Sequence, residues 1–124
     1  MLNNRTLQAF LAIGPILLLT MILIGYFFFI FSFVFNAEQM NNDQPPIAFL
    51  GGFAIFIIGF FLYMILSLLS LIYFVIHAAK NPNLEAGSSR VLWILIIVLV
   101  SGIGNLIYWI AEIQIKNPQP VITD

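Results

Sequence analysis

The sequence predicts an all-α, polytopic membrane protein with three transmembrane helices, on three observations. No residue carries a formal charge between Arg5 and Glu38, between Asp43 and Lys80 (His77 set aside), or between Arg90 and Glu112. The 124 residues are 62% hydrophobic and 7% charged, with mean hydropathy +1.09, against about 25% charged in ordinary soluble domains. Each uncharged stretch also supplies the roughly 20 apolar residues that a helix needs to cross a hydrocarbon core about 30 Å thick.

The first helix is expected over 15–35, after a short N-terminus at 1–14. Gly14-Pro15 interrupts the apolar run, and a proline lacks the N–H that would bond the carbonyl four residues back. Residues 5–13 therefore read either as a separate surface-lying segment or as the start of one long helix kinked at Pro15. The apolar run exceeds the about 7–15 residues of a signal-peptide core, and Phe35-Asn36-Ala37 lacks paired small residues, so an uncleaved anchor is expected. Loop 36–46, NAEQMNNDQPP, is polar and closes with two prolines. The second helix is expected over 47–77, about 46 Å long and so in excess of the bilayer core. Asn81-Pro82-Asn83 stops it. After loop 78–90, Ser88 and Ser89 offer N-caps for a third helix over 91–113. Trp93 near its start and Tyr108-Trp109 near its end lie about 24 Å apart along a straight axis, the separation of two interfacial belts. Glu112 and Lys116 form an i,i+4 pair at the interface, and the tail at 114–124 is broken by prolines from Asn117 on.

Basic residues set the expected orientation. Arg5 precedes the first helix and Lys80 and Arg90 lie in loop 78–90, whereas loop 36–46 has Glu38 and Asp43 but no Lys or Arg. The positive-inside rule places the N-terminus and loop 78–90 in the cytoplasm, with loop 36–46 and the tail outside. The segments between helices are too short to bury a core, so a single membrane domain and no soluble domain are expected. Net charge −1 gives no case for nucleic acid. The absence of cysteine excludes disulfides, thiol chemistry and Cys-based metal sites.

The candidate interaction residues share helix faces. In the second helix Gly52, Phe56, Gly59, Tyr63, Ser67, Ser70, Phe74 and His77 follow at steps of three or four. Small residues there let backbones approach and hydroxyls bond between helices, so the stripe reads as a packing seam, with a binding groove as the alternative. Ser101 and Asn105 continue such a face in the third helix. Asn105 is expected to bond Ser70, Ser67 or a backbone carbonyl, or else to face a partner, because an unpaired amide in hydrocarbon is costly. Trp93, Trp109, Glu112 and Lys116 read as interfacial, Glu112 as a snorkelling carboxylate. His77, the one histidine, reads as an interfacial residue at a helix end. No nucleophile–base pair, phosphate loop or metal-ligand cluster is visible, so no catalytic residue, cofactor or metal is expected. Asn4-Arg5-Thr6 matches the glycosylation pattern but lies on the expected cytoplasmic side.

The run HAAKNPNLEAGSSRVLWILIIVLVSGIGNLIYWI combines a basic polar loop, Leu92-Trp93, an aliphatic stretch and Gly104-x-x-x-Tyr108. Over about 60–110 it resembles the phospholipase D–nuclease N-terminal family, the two-helix membrane hairpin found at the N-terminus of bacterial cardiolipin synthases. That family commonly has a proline before the glycine, where this chain has Ser101-Gly102. The resemblance implies a bacterial inner-membrane location. It does not bring the enzymes' chemistry, which needs two H-x-K-x4-D motifs, whereas this chain has H-x-x-K once. Stand-alone relatives of the hairpin imply regulatory or immunity-type roles. The expected function is a non-catalytic accessory subunit, regulator or immunity-type protein, in contact with the lipid bilayer and with another membrane protein or a second copy. The alternative is a homo-oligomeric pore or small-molecule transporter.

Overall fold

The computed structural model describes residues 2–35, 37, 47–84 and 88–115, and these are helical almost throughout, with no strand among them. Helix α1 runs Arg5–Phe35 and α2 runs Ile47–Lys80. A 3-10 turn, Pro82–Leu84, leads towards α3, Ser89–Tyr108, which continues as a π-helical segment Trp109–Ile115. All three helices are long and apolar enough to cross a membrane. Loop 36–46, apart from Ala37, and the tail from Lys116 lie outside the described residues.

Helix α1 begins ten residues before the expected boundary. Asn4 caps it, its Oδ1 accepting from the N–H groups of Thr6 and Leu7 at 3.0 and 3.2 Å. The side chain of the glycosylation-like triplet is thus spent on a cap. Of the two readings at Gly14-Pro15 the structure takes the continuous helix, for a reason lying 55 residues away in the chain. Pro15 leaves the Leu11 carbonyl without its helical donor, and the Ser70 hydroxyl donates to that same oxygen at 2.7 Å. Pro15 and Ser70 are both buried. A second helix thereby replaces the missing N–H, which is how membrane helices tolerate proline.

Helix α2 runs three residues past the expected 77, to Lys80, and stops at the expected Asn81-Pro82-Asn83 signal. Asn81 organises the turn, its backbone oxygen accepting from Leu84 N–H and its Oδ1 from Asn83 N–H, both at 3.1 Å. Ser88 stands at the N-cap of α3, but its hydroxyl makes no cap hydrogen bond.

Helix α3 is not straight. Ser101 has φ 24° and ψ −108°, outside helical space and the one non-glycine positive φ among the described residues. Trp93 and Tyr108 would be about 22 Å apart along a straight helix, yet their ring centroids are 5.4 Å apart. Trp93 Nε1 donates to Glu112 Oε1 at 3.1 Å, where a straight helix would separate the two by about 28 Å. The chain therefore turns back at Ser101, and 102–115 packs along 89–100. Gly104 makes this possible. A Cβ there would stand 2.6 Å from the Ile96 carbonyl oxygen, a backbone atom that cannot swing aside. The expectation that Trp93 and Tyr108-Trp109 mark opposite membrane faces is corrected by this reversal.

The chain divides into two compact units. One, the polar unit, comprises Met1–Ile16 and Ile65–Asp124; the other, the apolar unit, is Leu17–Met64. The buried apolar core, Leu11, Ala12, Phe74, Ala78, Leu84, Ile97, Tyr108 and Ile113, lies wholly in the polar unit. In the apolar unit the two helical halves meet through aromatic pairs: Tyr26–Phe56 at 4.8 Å, Phe33–Phe49 at 5.0 Å and Phe29–Phe49 at 5.5 Å.

Candidate functional site

The polar unit holds a buried hydrogen-bonded cluster built from all three helices. Gln8, Ser70, His77, Asn81, Asn105 and Glu112 are each at most 3% exposed. Helical spacing on α2 puts Ser70, Tyr73 and His77 on one face. The reversal in α3 brings Asn105, Tyr108 and Glu112 against that face.

The cluster has two linked parts. In the first, Asn105 Nδ2 donates to Ser70 Oγ at 2.8 Å, and Ser70 Oγ donates onward to Leu11 O at 2.7 Å. Asn105 thus supports the serine that supports the proline-broken turn of α1. In the second, Gln8 Nε2 donates to Leu2 O at 2.6 Å and lies 3.3 Å from His77 Nε2. The first contact fixes the amide with its nitrogen inward. His77 Nε2 must then be the unprotonated, accepting nitrogen, and the ring proton sits on Nδ1. Nδ1 donates to Tyr108 Oη at 2.9 Å, and Asn81 Nδ2 donates to the same oxygen at 3.1 Å. Tyr73 Oη donates to Leu2 O at 2.9 Å, tying down the start of the chain. Rings pack around these bonds, with Phe74 and His77 edge-on to Tyr108 at 6.0 and 5.7 Å.

Several residues sit differently from the sequence reading. His77 is not an interfacial helix-end residue but the buried centre of the cluster. Glu112 is not snorkelling: it is buried and accepts from Trp93. Trp93 faces into the bundle rather than marking a belt, and Trp109 is half-buried, with Nε1 enclosed and unpartnered among the described residues. Lys116 lies outside the described residues. Ser101 is the reversal point. Ser67 is half-buried on the α2 face that carries Ser70.

Gln8 was missed altogether by sequence reasoning, and Asn81 and Tyr108 were given only local roles. A signal for Gln8 existed: it is the one strongly polar side chain inside the apolar run that opens α1.

The remaining sequence candidates, Gly52, Gly59 and Tyr63, belong to the apolar unit. Gly52 lies under the Phe29 ring, and a Cβ on Gly59 would meet Ile22 Cγ1 at 3.4 Å. Both glycines line a groove of about 350 Å³ with Leu18, Met21, Gly25 and Tyr26 among its walls. Tyr63 is half-buried, its ring 6.0 Å from Phe60.

Chemically, the cluster directs most of its donors and acceptors at one another, while Gln8 Oε1 and Asn105 Oδ1 are enclosed without a partner among the described residues. Among the described residues no three His, Cys, Asp or Glu side chains group as a metal site. Residues 69–111 match the family described as phospholipase D-nuclease N-terminal, so the resemblance expected over about 60–110 is found over the end of α2, the connection, all of Ser89–Tyr108 and the first residues of the π-helical segment. No curated protein and no solved structure matches the chain. The matched segment holds Ser70, Tyr73, His77, Asn81, Asn105 and Tyr108, and so the side chains of both parts of the cluster apart from Gln8.

Proposed function

We propose that this membrane protein is a non-catalytic accessory or regulatory component of a bacterial inner membrane that works by helix–helix contact with another membrane component, with the apolar unit as its contact face. One observation carries the reading: every fully buried described residue belongs to the polar unit, and none to Leu17–Met64. The polar unit encloses its own core. The apolar unit leaves all its described side chains at least partly uncovered, including Met21 at 69% and Ile55 at 73% exposed, beside a glycine-lined groove. Apolar exposure alone suits lipid. Glycines in a groove between two helices additionally suit a third helix, since close backbone approach is what drives association where lipid is as apolar as leucine.

The non-catalytic reading is supported by the cluster's chemistry, in which His77 and Tyr108 bond each other and buried neighbours. The contact reading is favoured over transport by the bond between Ser70 and Asn105, two of the polar residues a pathway would use, which are both buried. The cytoplasmic placement of the N-terminus rests on Arg5, Lys80 and Arg90.

The test is photo-cross-linking in native membranes from probes at Met21 and Ile55, with Leu99 as the comparison position. Adducts of one defined mass from the groove positions, and none from Leu99, are expected. Adducts with lipid alone at Met21 and Ile55 would overturn the proposal.

A further inference from the structure

By length and composition Ser89–Ile115 qualifies as a crossing helix, but its shape does not. We infer that α3 is a re-entrant hairpin, entering the bilayer and leaving on the face it entered, so that the N-terminus, loop 78–90 and the tail share one side of the membrane.

Three tie points fix the direction of the returning arm. A Cβ on Gly102, just past the reversal, would stand 3.8 Å from Ile16 Cγ1. Three residues on, Asn105 reaches Leu11 through Ser70. Three further, Tyr108 reaches Gln8 through His77. The arm therefore descends from the level of Ile16 towards the start of α1 as its numbering rises. The entering arm starts from the same end, where Arg90 Nη2 donates to Asn81 O at 3.5 Å, next to the end of α2. Both ends of α3 thus lie beside Lys80 and the start of α1.

Length agrees. The arm 89–100 rises about 18 Å and the arm 102–115 at most about 21 Å, each short of a core of about 30 Å. At the reversal Ser101 and Gly102 are half-buried, with Gly102 against Ile16 of α1, in keeping with non-helical backbone being tolerated at depth where it is packed against protein. Charge agrees independently. With α3 straight, the tail and Lys116 would lie with loop 36–46. Folded back, all four cationic residues, Arg5, Lys80, Arg90 and Lys116, lie on one face, opposite Glu38 and Asp43. That is the stronger form of the positive-inside bias.

The chain has no cysteine, so single-cysteine variants need no background removal. Asn3→Cys, Asn41→Cys and Asp124→Cys are labelled with a membrane-impermeant maleimide in sealed vesicles of one orientation, before and after permeabilisation. Asp124→Cys reacting together with Asn3→Cys and opposite to Asn41→Cys is the expected result; Asp124→Cys reacting with Asn41→Cys overturns the inference. A second measurement reads the reversal itself. Spin labels at the exposed positions Val91→Cys and Ile115→Cys would be about 36 Å apart in a straight helix. The hairpin brings them under about 20 Å, an adjacent-helix spacing plus two label linkers. A distance near the straight-helix value would also overturn it.

Discussion

The two units solve the same solvent problem in opposite ways. The polar unit buries six strongly polar or charged side chains and bonds α1, α2 and α3 to one another through them, with Gln8 Oε1 and Asn105 Oδ1 left enclosed without a partner among the described residues. The apolar unit buries none and holds its helices by aromatic packing over glycines. In hydrocarbon, apolar contact gives helices little reason to prefer each other over lipid, while an unsatisfied polar group is costly. The difference teaches where specificity lies. Polar bonds fix one arrangement inside the polar unit; the apolar unit keeps a face on which another helix can be accommodated.

That contrast can be broken or sharpened by substitution. The largest effect is expected from Gly104→Leu, which drives a side chain into the Ile96 carbonyl. A loss of about 3 kcal/mol or more is expected, read by SDS unfolding in micelles, with separation of Trp93 from Tyr108 seen in the tryptophan emission. Next comes Tyr108→Phe, which leaves His77 Nδ1–H and Asn81 Nδ2–H without their acceptor. It should cost about 1–3 kcal/mol, and nitrogen-15 spectra of the wild-type protein should show the His77 proton on Nδ1. A spectrum with the proton on Nε2 would contradict the network.

Ser70→Ala is expected to cost about 1 kcal/mol, and the cost should shrink in a Pro15→Ala background. There residue 15 regains an N–H for the Leu11 carbonyl, so a double-mutant cycle with no coupling would contradict the replacement of the helical bond by Ser70. The smallest effect belongs to the apolar unit. Gly25→Ala, where a Cβ meets nothing within 4 Å, should leave stability unchanged or raise it by up to about 1 kcal/mol through helix propensity. The same change should weaken cross-linking from Met21, since it narrows the groove that the partner helix occupies.

Particular residues show how much was legible in advance. The three apolar helices, the turn at Asn81-Pro82 and the shared face of Ser70 and His77 are local properties, readable from hydropathy, proline position and a period of 3.6. Asn105 was readable as a residue needing a partner, and Ser70 was among the partners it could take. The continuity of α1 was not readable, because the donor that replaces the Pro15 N–H lies on another helix. Nor was the reversal at Ser101. Serine is an ordinary helix residue, and Trp93 with Tyr108-Trp109 suits a straight span and a hairpin alike. The sequence hint was Ser101-Gly102-Ile103-Gly104, three small residues in four at mid-helix, which also suits a packing seam.

Composition and period alone decided that this chain is helical and lives in a membrane, because solvent and backbone bonding act on every residue locally. Which polar groups meet, that His77 is a centre rather than an edge, and that α3 turns back were decided only in three dimensions. Those outcomes depend on donors and acceptors up to 71 residues apart finding one another, and on one glycine letting two stretches of backbone touch.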